Sequence, residues 1–497
     1  MGISAKGANT WSGISGLRKF VDRIVPYGTL GRQMALLAGS TAAAQAFIVL
    51  LSPVLTRLYG PREFGVFGMF TAGVLVLNTI DSARYEIAIP LPREEEKAEQ
   101  LLVLCCVLVF VTGALLELAV HFWGTKACDL LQVPVLAPFL WLLPASMVSA
   151  GLIEAFSYFA IRKQAFRAVA QSRLAQSAVQ NVVQCTLGLT GIGAIGLLIG
   201  DTLSRTAAAV TLARGAGLRR HLRCFSPVEL RRRAAEYLRF PRLNAPATLL
   251  NIAALQLPFL AVPFFFGMEQ AGSYFLAYRI LFLPSTLVGN AVSNVFFSKA
   301  AAAEKDGTGI EGVTTKISLG LMAMFLPLYV ALALAGNPVF QFVFGPKWGS
   351  AGLYARLLTP AAFAAAVASP LSTLLVVKDR LGQSLALTVL DLAARCLAIA
   401  VGVHFQSLWL TVVLISAFGT LVPCFALILF LRWAGVKLTP LAKKSGLIAW
   451  RNVPLFAVVG VAATFGPPLL ATFVLVGMVA LSCWLSSAFI KDLATAS

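Results

Sequence analysis

A single arginine stands alone in one of the most apolar stretches of this sequence. The stretch FLAYRILFLPSTLVG, residues 275–289, contains Arg279 as its one charged side chain. On a helix, the positions three and four residues away hold only phenylalanine and leucine, so no local counter-charge is available. A guanidinium binds phosphate through two parallel hydrogen bonds, and Arg279 is therefore a candidate for binding an anionic ligand.

Three interpretations of Arg279 remain open from the sequence. If the stretch crosses a membrane, the guanidinium could snorkel to the outer face of that membrane, because it lies only ~12 Å into the stretch. It could pair with Glu117 or Glu154 on another helix. We favour the third interpretation, in which it faces a water-filled cavity and binds an anion. The chain contains a repeat with an offset of 207 residues, described below, and the equivalent position in the first half, Ala72, carries no cation. Pro284, five residues later, would interrupt the helical hydrogen bonds and predicts a hinge.

The other ionisable residues in apolar stretches occur mostly as closely spaced pairs. Opposite charges three or four residues apart lie on one helix face and can neutralise each other. The pairs are Asp201 with Arg205, Asp391 with Arg395 and Asp81 with Arg84. Each pair has either this structural role or a functional one, and Asp81, Glu154 and Asp391 are candidates for proton coupling.

Composition assigns the chain to the integral membrane proteins. Charged residues make up 12% of the 497 residues, whereas soluble domains average roughly 25%. Hydrophobic residues make up 58%, and the mean hydropathy is +0.83. A helix crosses a bilayer with about 20 apolar residues, and runs of that length recur along the chain. We predict an all-α polytopic protein with about fourteen transmembrane helices, near residues 34–56, 64–83, 101–120, 137–160, 174–190, 195–213, 244–266, 271–297, 317–336, 353–377, 385–403, 408–431, 453–466 and 468–490.

The net charge of +19 comes from basic residues that are unevenly distributed among the loops. Most Lys and Arg lie in the N-terminal segment, the C-terminal tail and every second loop, which is the positive-inside pattern of membrane proteins. We therefore expect both termini in the cytoplasm and no nucleic-acid partner. Residues 1–33 lack the apolar core of a cleavable signal peptide, and their spacing of apolar and basic residues predicts an amphipathic helix on the cytoplasmic surface.

The longest loop, residues 214–243, divides the chain into two halves of similar organisation. It contains nine arginines; six predicted spans precede it, and six follow before the basic segment 432–452. The motif G-x-x-x-x-G-x-aromatic follows the first span of each half, at Gly60 and again at Gly267, 207 residues later. We predict two pseudo-symmetric six-helix lobes around a central cavity, a plan found in many transporters. The predicted domains are the amphipathic segment 1–33, the N-lobe 34–213, the basic cytoplasmic linker 214–243, the C-lobe 244–431 and, at 432–497, a basic loop with a terminal helix pair.

Several patterns that resemble enzyme motifs lie in the wrong structural setting. GIGAIG at 191–196 fits a dinucleotide-binding pattern, but it lies in a tight turn between two spans with no strand before it. Gly196 and Gly200 instead suit a close contact between helices. The eight cysteines include no C-x-x-C pair, the three histidines are scattered, and no soluble stretch exceeds about 30 residues. We therefore expect no metal site, no cofactor and no enzymatic activity.

Five stretches, spread over nearly the first 380 residues, carry a family resemblance. They are SPVLTRLYGPREFGVFGMF (52–70), ARYEIAIPLP (83–92), YLRFPRLNAP (237–246), GSYFLAYRILFLPSTLVGNAVSNVFF (272–297) and FGPKWGSAGLYARLLTP (344–360). Together they resemble the oligosaccharide flippases of bacterial polysaccharide biosynthesis, in the multidrug/oligosaccharidyl-lipid/polysaccharide exporter superfamily that also holds lipid II flippases and multidrug extruders. The resemblance implies two six-helix lobes and export of an undecaprenyl-pyrophosphate-linked oligosaccharide across the bacterial inner membrane, for O-antigen, capsule or exopolysaccharide synthesis.

The resemblance also implies site residues and partners. Related lipid II flippases carry an arginine in an A-x-R-x-x-x-x-P setting in their eighth span, which is thought to meet the pyrophosphate. Here this setting is formed by Ala277, Arg279 and Pro284, and Arg84 is a looser match. Membrane lipids, a polysaccharide polymerase and chain-length proteins are the further partners that the resemblance suggests.

Polar side chains within the spans could hydrogen-bond sugar hydroxyls, although each suits an interhelical contact equally well. They are Gln45, Asn78, Gln180, Asn181, Ser285, Asn290 and Asn294. Two other classes remain open: a small-molecule extruder of the same superfamily, which would favour carboxylates and aromatics in its cavity, and a membrane polymerase or ligase, which needs a large outward loop. Without an ATP-binding domain, transport would draw on an ion gradient, the membrane potential or removal of the product.

Overall fold

The structure is a computed structural model that describes most of the chain. It covers residues 29–130, 133–218, 221, 225–307 and 309–465, together with the isolated helical positions 469, 472 and 477. These residues are helical almost throughout, and no strand occurs among them. The predicted all-α class is therefore confirmed.

Six long helices precede the basic linker, and seven long helices follow it. The first group is α1 (Thr29–Leu58), α2 (Pro61–Leu77), α3 (Glu95–Leu130), α4 (Leu142–Arg162), α5 (Phe166–Leu189) and α6 (Ala194–Gly215). The linker contains α7 (Pro227–Glu236) and a π-helical turn, Phe240–Asn244. The second group is α8 (Ala245–Phe266), α9 (Met268–Lys305), α10 (Glu311–Phe344), α11 (Gly349–Ala368), the short α12 (Leu374–Val377), α13 (Leu381–His404), α14 (Leu408–Trp433) and α15 (Leu438–Phe465).

The predicted spans and the observed helices agree over most of the described chain. The first thirteen predicted spans each overlap a long helix, and ten helical stretches are long and apolar enough to cross a membrane. The fourteenth predicted span, 468–490, and the amphipathic segment, up to residue 28, lie outside the described residues apart from isolated positions. The total of fourteen and the domain bounds stay predictions.

Two predicted spans contain a break in the α-helix. The second, 64–83, is wrong as one continuous helix, because the helix ends at Leu77 and the chain continues through turns and a short 3-10 helix, Tyr85–Ala88. Ala83 and Arg84 have φ values of 50° and 63°, in the left-handed region that a right-handed helix cannot contain. In the tenth, 353–377, a 3-10 helix, Ser369–Thr373, separates α11 from α12, and the whole stretch Pro346–Val377 is still apolar enough to cross a membrane.

The helices form two groups that pack mainly within themselves. In the N-lobe, which we define as α1–α6, α5 packs on α1 and α6, and α4 packs on α3 and α6. In the C-lobe, defined as α8–α14, α11 packs on α9, α10 and α14, while α13 packs on α8 and α14. Helix α15 packs against α10. The lobes meet mainly through α2, which packs on α8 and α9.

The repeated glycine motif marks the point where the two lobes touch. A Cβ atom added to Gly65 would lie 1.9 Å from the carbonyl oxygen of Met268, and one added to Gly272 would lie 1.7 Å from the carbonyl oxygen of Pro61. The two contacts are related by the repeat. Gly272 lies 207 positions after Gly65, and Met268 lies 207 positions after Pro61. Only glycine permits this backbone approach, so the repeat found in the sequence is a contact between α2 and α9.

Aromatic contacts extend this junction on the side of the molecule opposite the linker. The rings of Phe67 and Phe275 pack edge to face with centroids 5.7 Å apart. Trp348, in the turn before α11, is fully buried and donates its indole N–H to the carbonyl oxygen of Thr56 at 3.1 Å. We call this the far side, and the side that carries residues 214–243 the linker side. The lobes are therefore joined towards the far side.

The glycine pair at 196 and 200 has the local role expected for it. Gly191 and Gly193 adopt positive φ in the turn between α5 and α6, as a helix hairpin requires. A Cβ atom on Gly196 would lie 2.4 Å from the Tyr59 hydroxyl, and one on Gly200 would lie 2.4 Å from Gln184 Cγ. The prediction of a helix hairpin with close helix contacts is confirmed.

The glycine crossing yields a test of lobe closure. We expect Gly65→Leu to force α2 and α9 apart, because the new side chain has no space beside the Met268 backbone. A cysteine placed at Ala271, which is 4% exposed, should then react with a membrane-impermeant maleimide added on the far side.

The matched control is Gly73→Leu on the same helix. A Cβ atom there meets only Leu143 Cδ1, at 3.9 Å. Ala271→Cys should stay protected in the control, and the same chain without this cysteine measures background from the native thiols. Equal labelling in the Gly65 and Gly73 variants would show that the crossing does not hold the lobes together.

Candidate functional site

Arg279 lies at the junction of the two lobes. It is eleven residues from the start of α9 at Met268, about 16 Å along the helix axis. The guanidinium carbon is 6.0 Å from the ring centroids of Phe67 and Phe275, a distance that allows weak cation–π attraction. Phe67 belongs to α2 and is 2% exposed. The guanidinium therefore faces the N-lobe, and snorkelling to the outer surface does not fit this position.

No carboxylate neutralises Arg279 within the part of the chain that the structure describes. Neither Glu117 nor Glu154 pairs with it, and no hydrogen bond or ion pair joins it to another described residue. Asp201 is near enough to act on it electrostatically, but the carboxylate of Asp201 is already bound to Arg205. The side chain of Arg279 keeps part of its surface accessible.

A polar stripe continues from Arg279 along α9 towards the linker side. Thr286, Asn290 and Asn294 follow at intervals that keep them on one face of the helix, and all three are exposed. Ser285 lies beside this stripe, and its hydroxyl bonds the carbonyl oxygen of Phe282 at 2.7 Å. An accessible polar face on a membrane helix indicates contact with water or with polar cargo rather than with lipid tails.

Pro284 lies inside α9 without interrupting it. The helix is continuous from Met268 to Lys305. In the turn before the proline, the Tyr329 hydroxyl of α10 donates a hydrogen bond to the carbonyl oxygen of Leu281 at 3.0 Å. A hydrogen-bond donor from a neighbouring helix can satisfy backbone carbonyl oxygens near a proline in a membrane helix. The hinge at Pro284 stays a prediction.

A second polar group lies in the N-lobe, where the chain leaves α2. Arg84 Nη1 is 3.1 Å from Glu86 Oε1 and 3.1 Å from Glu154 Oε2. Asn78 donates to the other oxygen of Glu154 at 2.9 Å. Glu86 is fully buried and Glu154 is partly exposed. The structure thus brings together Asn78, Arg84 and Glu154, which the sequence marked separately. It adds Glu86, whose only sequence signal was a lone acid in an apolar stretch.

The predicted pairing of Asp81 with Arg84 is wrong. The two residues follow the end of α2, so the three-residue spacing does not place them on one helix face. Asp81 accepts a hydrogen bond from the backbone N–H of Ser82 instead. Its other oxygen, Oδ2, is buried without a hydrogen-bond partner among the described residues. That oxygen would lie 2.2 Å from a Cβ atom added to Gly151, so glycine is needed there.

The other two predicted ion pairs are confirmed. Arg205 Nε lies 2.8 Å from Asp201 Oδ2 on α6, and Arg395 Nε lies 2.8 Å from Asp391 Oδ2 on α13. Both pairs are largely buried. They are locally neutral, which lowers the cost of holding them among apolar helices.

Several of the polar residues suggested for sugar binding lie inside the helix packing. Gln180 and Asn181 on α5 are 7% and 1% exposed, and Asn181 donates to the carbonyl oxygen of Ser177. Gln45 is partly exposed on α1. Asn290 and Asn294 are therefore the most accessible of the predicted sugar contacts.

The expectation that the histidines join no cluster is wrong for His221 in the linker. His221 Nδ1 lies 2.6 Å from Glu99 Oε1, across 122 residues of sequence. Glu95 is near enough that one ligand atom from each of the three residues falls within 4.8 Å of the others, a spacing that could hold a metal ion. Lys163 already binds the Glu95 carboxylate. This group of ion pairs attaches the linker to the start of α3.

Fold and site together define a multi-pass membrane protein of the transporter type. Long apolar helices form two lobes, and charged groups lie at their junction and within both lobes. Residues 54–352, more than half of the chain, match the family described as polysaccharide biosynthesis protein, and the chain belongs to this family. The family resemblance expected from the sequence is confirmed.

Two curated relatives cover part of the chain. The succinoglycan biosynthesis transport protein ExoT of Rhizobium meliloti is 24% identical over 335 residues, which make up 67% of this chain and 65% of that protein. The lipopolysaccharide biosynthesis protein WzxC of Escherichia coli is 25% identical over 168 residues, 34% of each chain. The aligned part of this chain thus spans less than two thirds of either relative.

Solved structures share the fold more completely than the sequence. The lipid II flippase MurJ in an inward closed conformation has a TM-score of 0.73 at 13% identity, covering 91% of this chain and 99% of that one. A multidrug resistance MATE family transporter of the MOP superfamily has a TM-score of 0.62 at 15% identity, covering 82% and 99%. These neighbours establish the transporter fold; among the relatives and neighbours, ExoT is named a transport protein and MurJ a lipid II flippase.

The buried pair on α6 provides a test of its structural role. We expect Arg205→Ala to lower the free energy of unfolding by about 3–5 kcal/mol, because Asp201, 5% exposed, is left as an unpaired buried charge. Adding Asp201→Asn should restore much of this loss. Denaturant unfolding in detergent measures both values. Equal destabilisation by the single and double variants would mean that the pair is not coupled.

Proposed function

We propose that this protein is a flippase that moves an undecaprenyl-pyrophosphate-linked oligosaccharide across the bacterial inner membrane. The observation that carries the proposal is Arg279, a cation without a carboxylate partner among the described residues, placed where the two lobes meet. A membrane protein tolerates such a charge when it faces water or a visiting anion. The pyrophosphate of the cargo is an anion that a guanidinium binds well.

The geometry suits the physical problem of moving a lipid-linked sugar. The polar head of the cargo cannot cross hydrocarbon unaided, whereas its tail can stay in the membrane. Space between the lobes would take the head, with Arg279 meeting the pyrophosphate and Asn290 and Asn294 meeting sugar hydroxyls nearer the linker side. The lobes would then rock about their junction, which lies towards the far side, to expose the head to each side in turn.

Two observations support an orientation with the linker side in the cytoplasm. The linker contains nine arginines, and basic loops remain on the cytoplasmic side during insertion. Far-side turns such as Tyr59–Gly60 and residues 405–407 contain no basic residue. With the predicted fourteenth span, this orientation would put both termini in the cytoplasm. Cargo would be delivered to the outer leaflet, where a polymerase and chain-length proteins would receive it.

The runner-up functions fit the observations less well. Multidrug transporters share the fold, but the unpaired charge at the junction is cationic, which favours an anionic cargo. A polymerase or ligase would need a large loop holding reactive groups on the far side, whereas the described far-side connections have ordinary lengths. Among the candidates for proton coupling, Asp81 has an oxygen with no partner among the described residues, while Glu154 and Asp391 are ion-paired.

Deletion of the gene followed by an assay of leaflet distribution tests the proposed function. We expect lipid-linked oligosaccharide to accumulate in the inner leaflet and surface polysaccharide to fall. Arg279→Ala should insert normally and fail to restore transport, and Arg279→Lys should restore it only in part because lysine lacks the bidentate geometry.

Arg356→Ala is the matched control for loss of an arginine from a membrane helix. Its guanidinium is already bonded to the carbonyl oxygen of Ala333, so we expect nearly normal transport. Unchanged delivery to the outer leaflet in the deletion strain would reject the proposed function. Wild-type transport by Arg279→Ala would remove this residue from the mechanism.

A further inference from the structure

Arg173, on helix α5 of the N-lobe, has no hydrogen-bond or ion-pair partner among the described residues, and no pattern in the sequence marked it. Arg173 lies just before the predicted fifth span, which made it a loop residue in the sequence analysis. In the structure α5 begins at Phe166, so Arg173 is about 10 Å along the helix from the linker side. No hydrogen bond or ion pair joins it to another residue within the described ranges.

The helix face of Arg173 points into the N-lobe. Of the residues three and four positions away on α5, Val169, Ala170 and Ser177 are 4%, 5% and 3% exposed, and Gln176 is partly exposed. Ser177 bonds the carbonyl oxygen of Ala44 on α1, which shows that this face packs inward. The opposite face of α5 presents exposed apolar side chains that suit lipid. They are Val182 and Leu189.

Arg173 is nevertheless exposed. A side chain that starts from an inward face and still reaches solvent must project into open space within the molecule. The nearest charge that acts on it belongs to Glu154 on α4. Both carboxylate oxygens of Glu154 are engaged elsewhere, one by Asn78 and one by Arg84. Arg173 is thus attracted by Glu154 without being bound to it.

We propose that Arg173 is a second binding residue for the pyrophosphate of the cargo, with Glu154 as the negative charge that attracts it until the anion binds. The inference rests on the proposed function and extends it to the N-lobe. Arg279 and Arg173 place one unpaired guanidinium in each lobe, and an arriving anion competes with Glu154 for the second. Lobe movement then becomes sensitive to cargo, because the anion replaces an attraction that lies wholly within the N-lobe.

This arrangement makes a prediction that a purely structural role does not share. Removing the charge of Glu154 should strengthen anion binding, because the competing negative charge is lost while an amide oxygen can still accept from Asn78. Removing Arg173 should weaken binding and should also cancel the gain from Glu154→Gln. Glu154 contacts Arg84 as well. The double variant Arg173→Ala with Glu154→Gln therefore shows whether the gain in anion binding acts through Arg173 or through Arg84.

The experiment measures binding of inorganic pyrophosphate to the whole purified protein in nanodiscs of phosphatidylcholine, so that no anionic lipid competes. Isothermal titration calorimetry should show binding weakened by about tenfold or more in Arg173→Ala and strengthened several-fold in Glu154→Gln. The double variant should bind like Arg173→Ala. Arg167→Ala is the matched control, because Arg167 is exposed on the same helix nearer the linker side, and it should bind like wild type.

Arg173→Lys guards against loss of folding, since it keeps the charge and should retain an intermediate affinity. Wild-type affinity in Arg173→Ala, or a Glu154→Gln gain that persists without Arg173, would overturn the inference. If Arg279→Ala abolishes binding and transport while Arg173→Ala affects neither, the inference fails and the proposed function stands. If neither variant changes binding or transport, the inference fails and Arg279 is removed from the mechanism as well, whereas the proposed function itself is decided by the deletion strain.

Discussion

The structure depends on how a charge is held within a membrane. A charged side chain at the bilayer centre costs at least ~2.5–3.5 kcal/mol on insertion scales, and a partner of opposite charge removes much of that cost. Arg84, Arg205 and Arg395 each have such a partner. Arg279 does not, within the described chain, and it lies at the junction of the lobes with an accessible polar stripe beside it. We propose that its charge is balanced from outside the fold, by water or by cargo.

The contact between the lobes is built so that it can open. At its centre two backbones meet at Gly65 and Gly272, with no side chain between them. The surrounding contacts are aromatic, and the Trp348 indole adds one hydrogen bond to the other lobe. Among the described residues, no ion pair joins the two lobes. Because this contact contains no ion pairs among the described residues, the lobes can separate there without leaving a buried charge unpaired. Such a contact suits a transporter that alternates between two openings.

The sequence predicted features that depend on local spacing, and it failed where distant segments meet. Hydropathy located the helices, and the pairs on α6 and α13 were predictable because four residues make one helical turn. The pair of Asp81 with Arg84 failed because α2 ends before it. Arg173 was missed because α5 begins eight residues earlier than its predicted span. The contact of His221 with Glu99 depends on folding across 122 residues, which no local pattern reveals.

The central claim is that a visiting phosphate supplies the negative charge that Arg279 lacks. The most direct measurement is an experimental structure with an undecaprenyl-pyrophosphate-linked sugar bound. We predict phosphate oxygens at roughly 2.7–2.9 Å from the Arg279 guanidinium nitrogens, the distance of a charge-assisted hydrogen bond. The account would be contradicted by a pyrophosphate bound elsewhere while the guanidinium stays 6.0 Å from the Phe67 and Phe275 ring centroids, as in this structure.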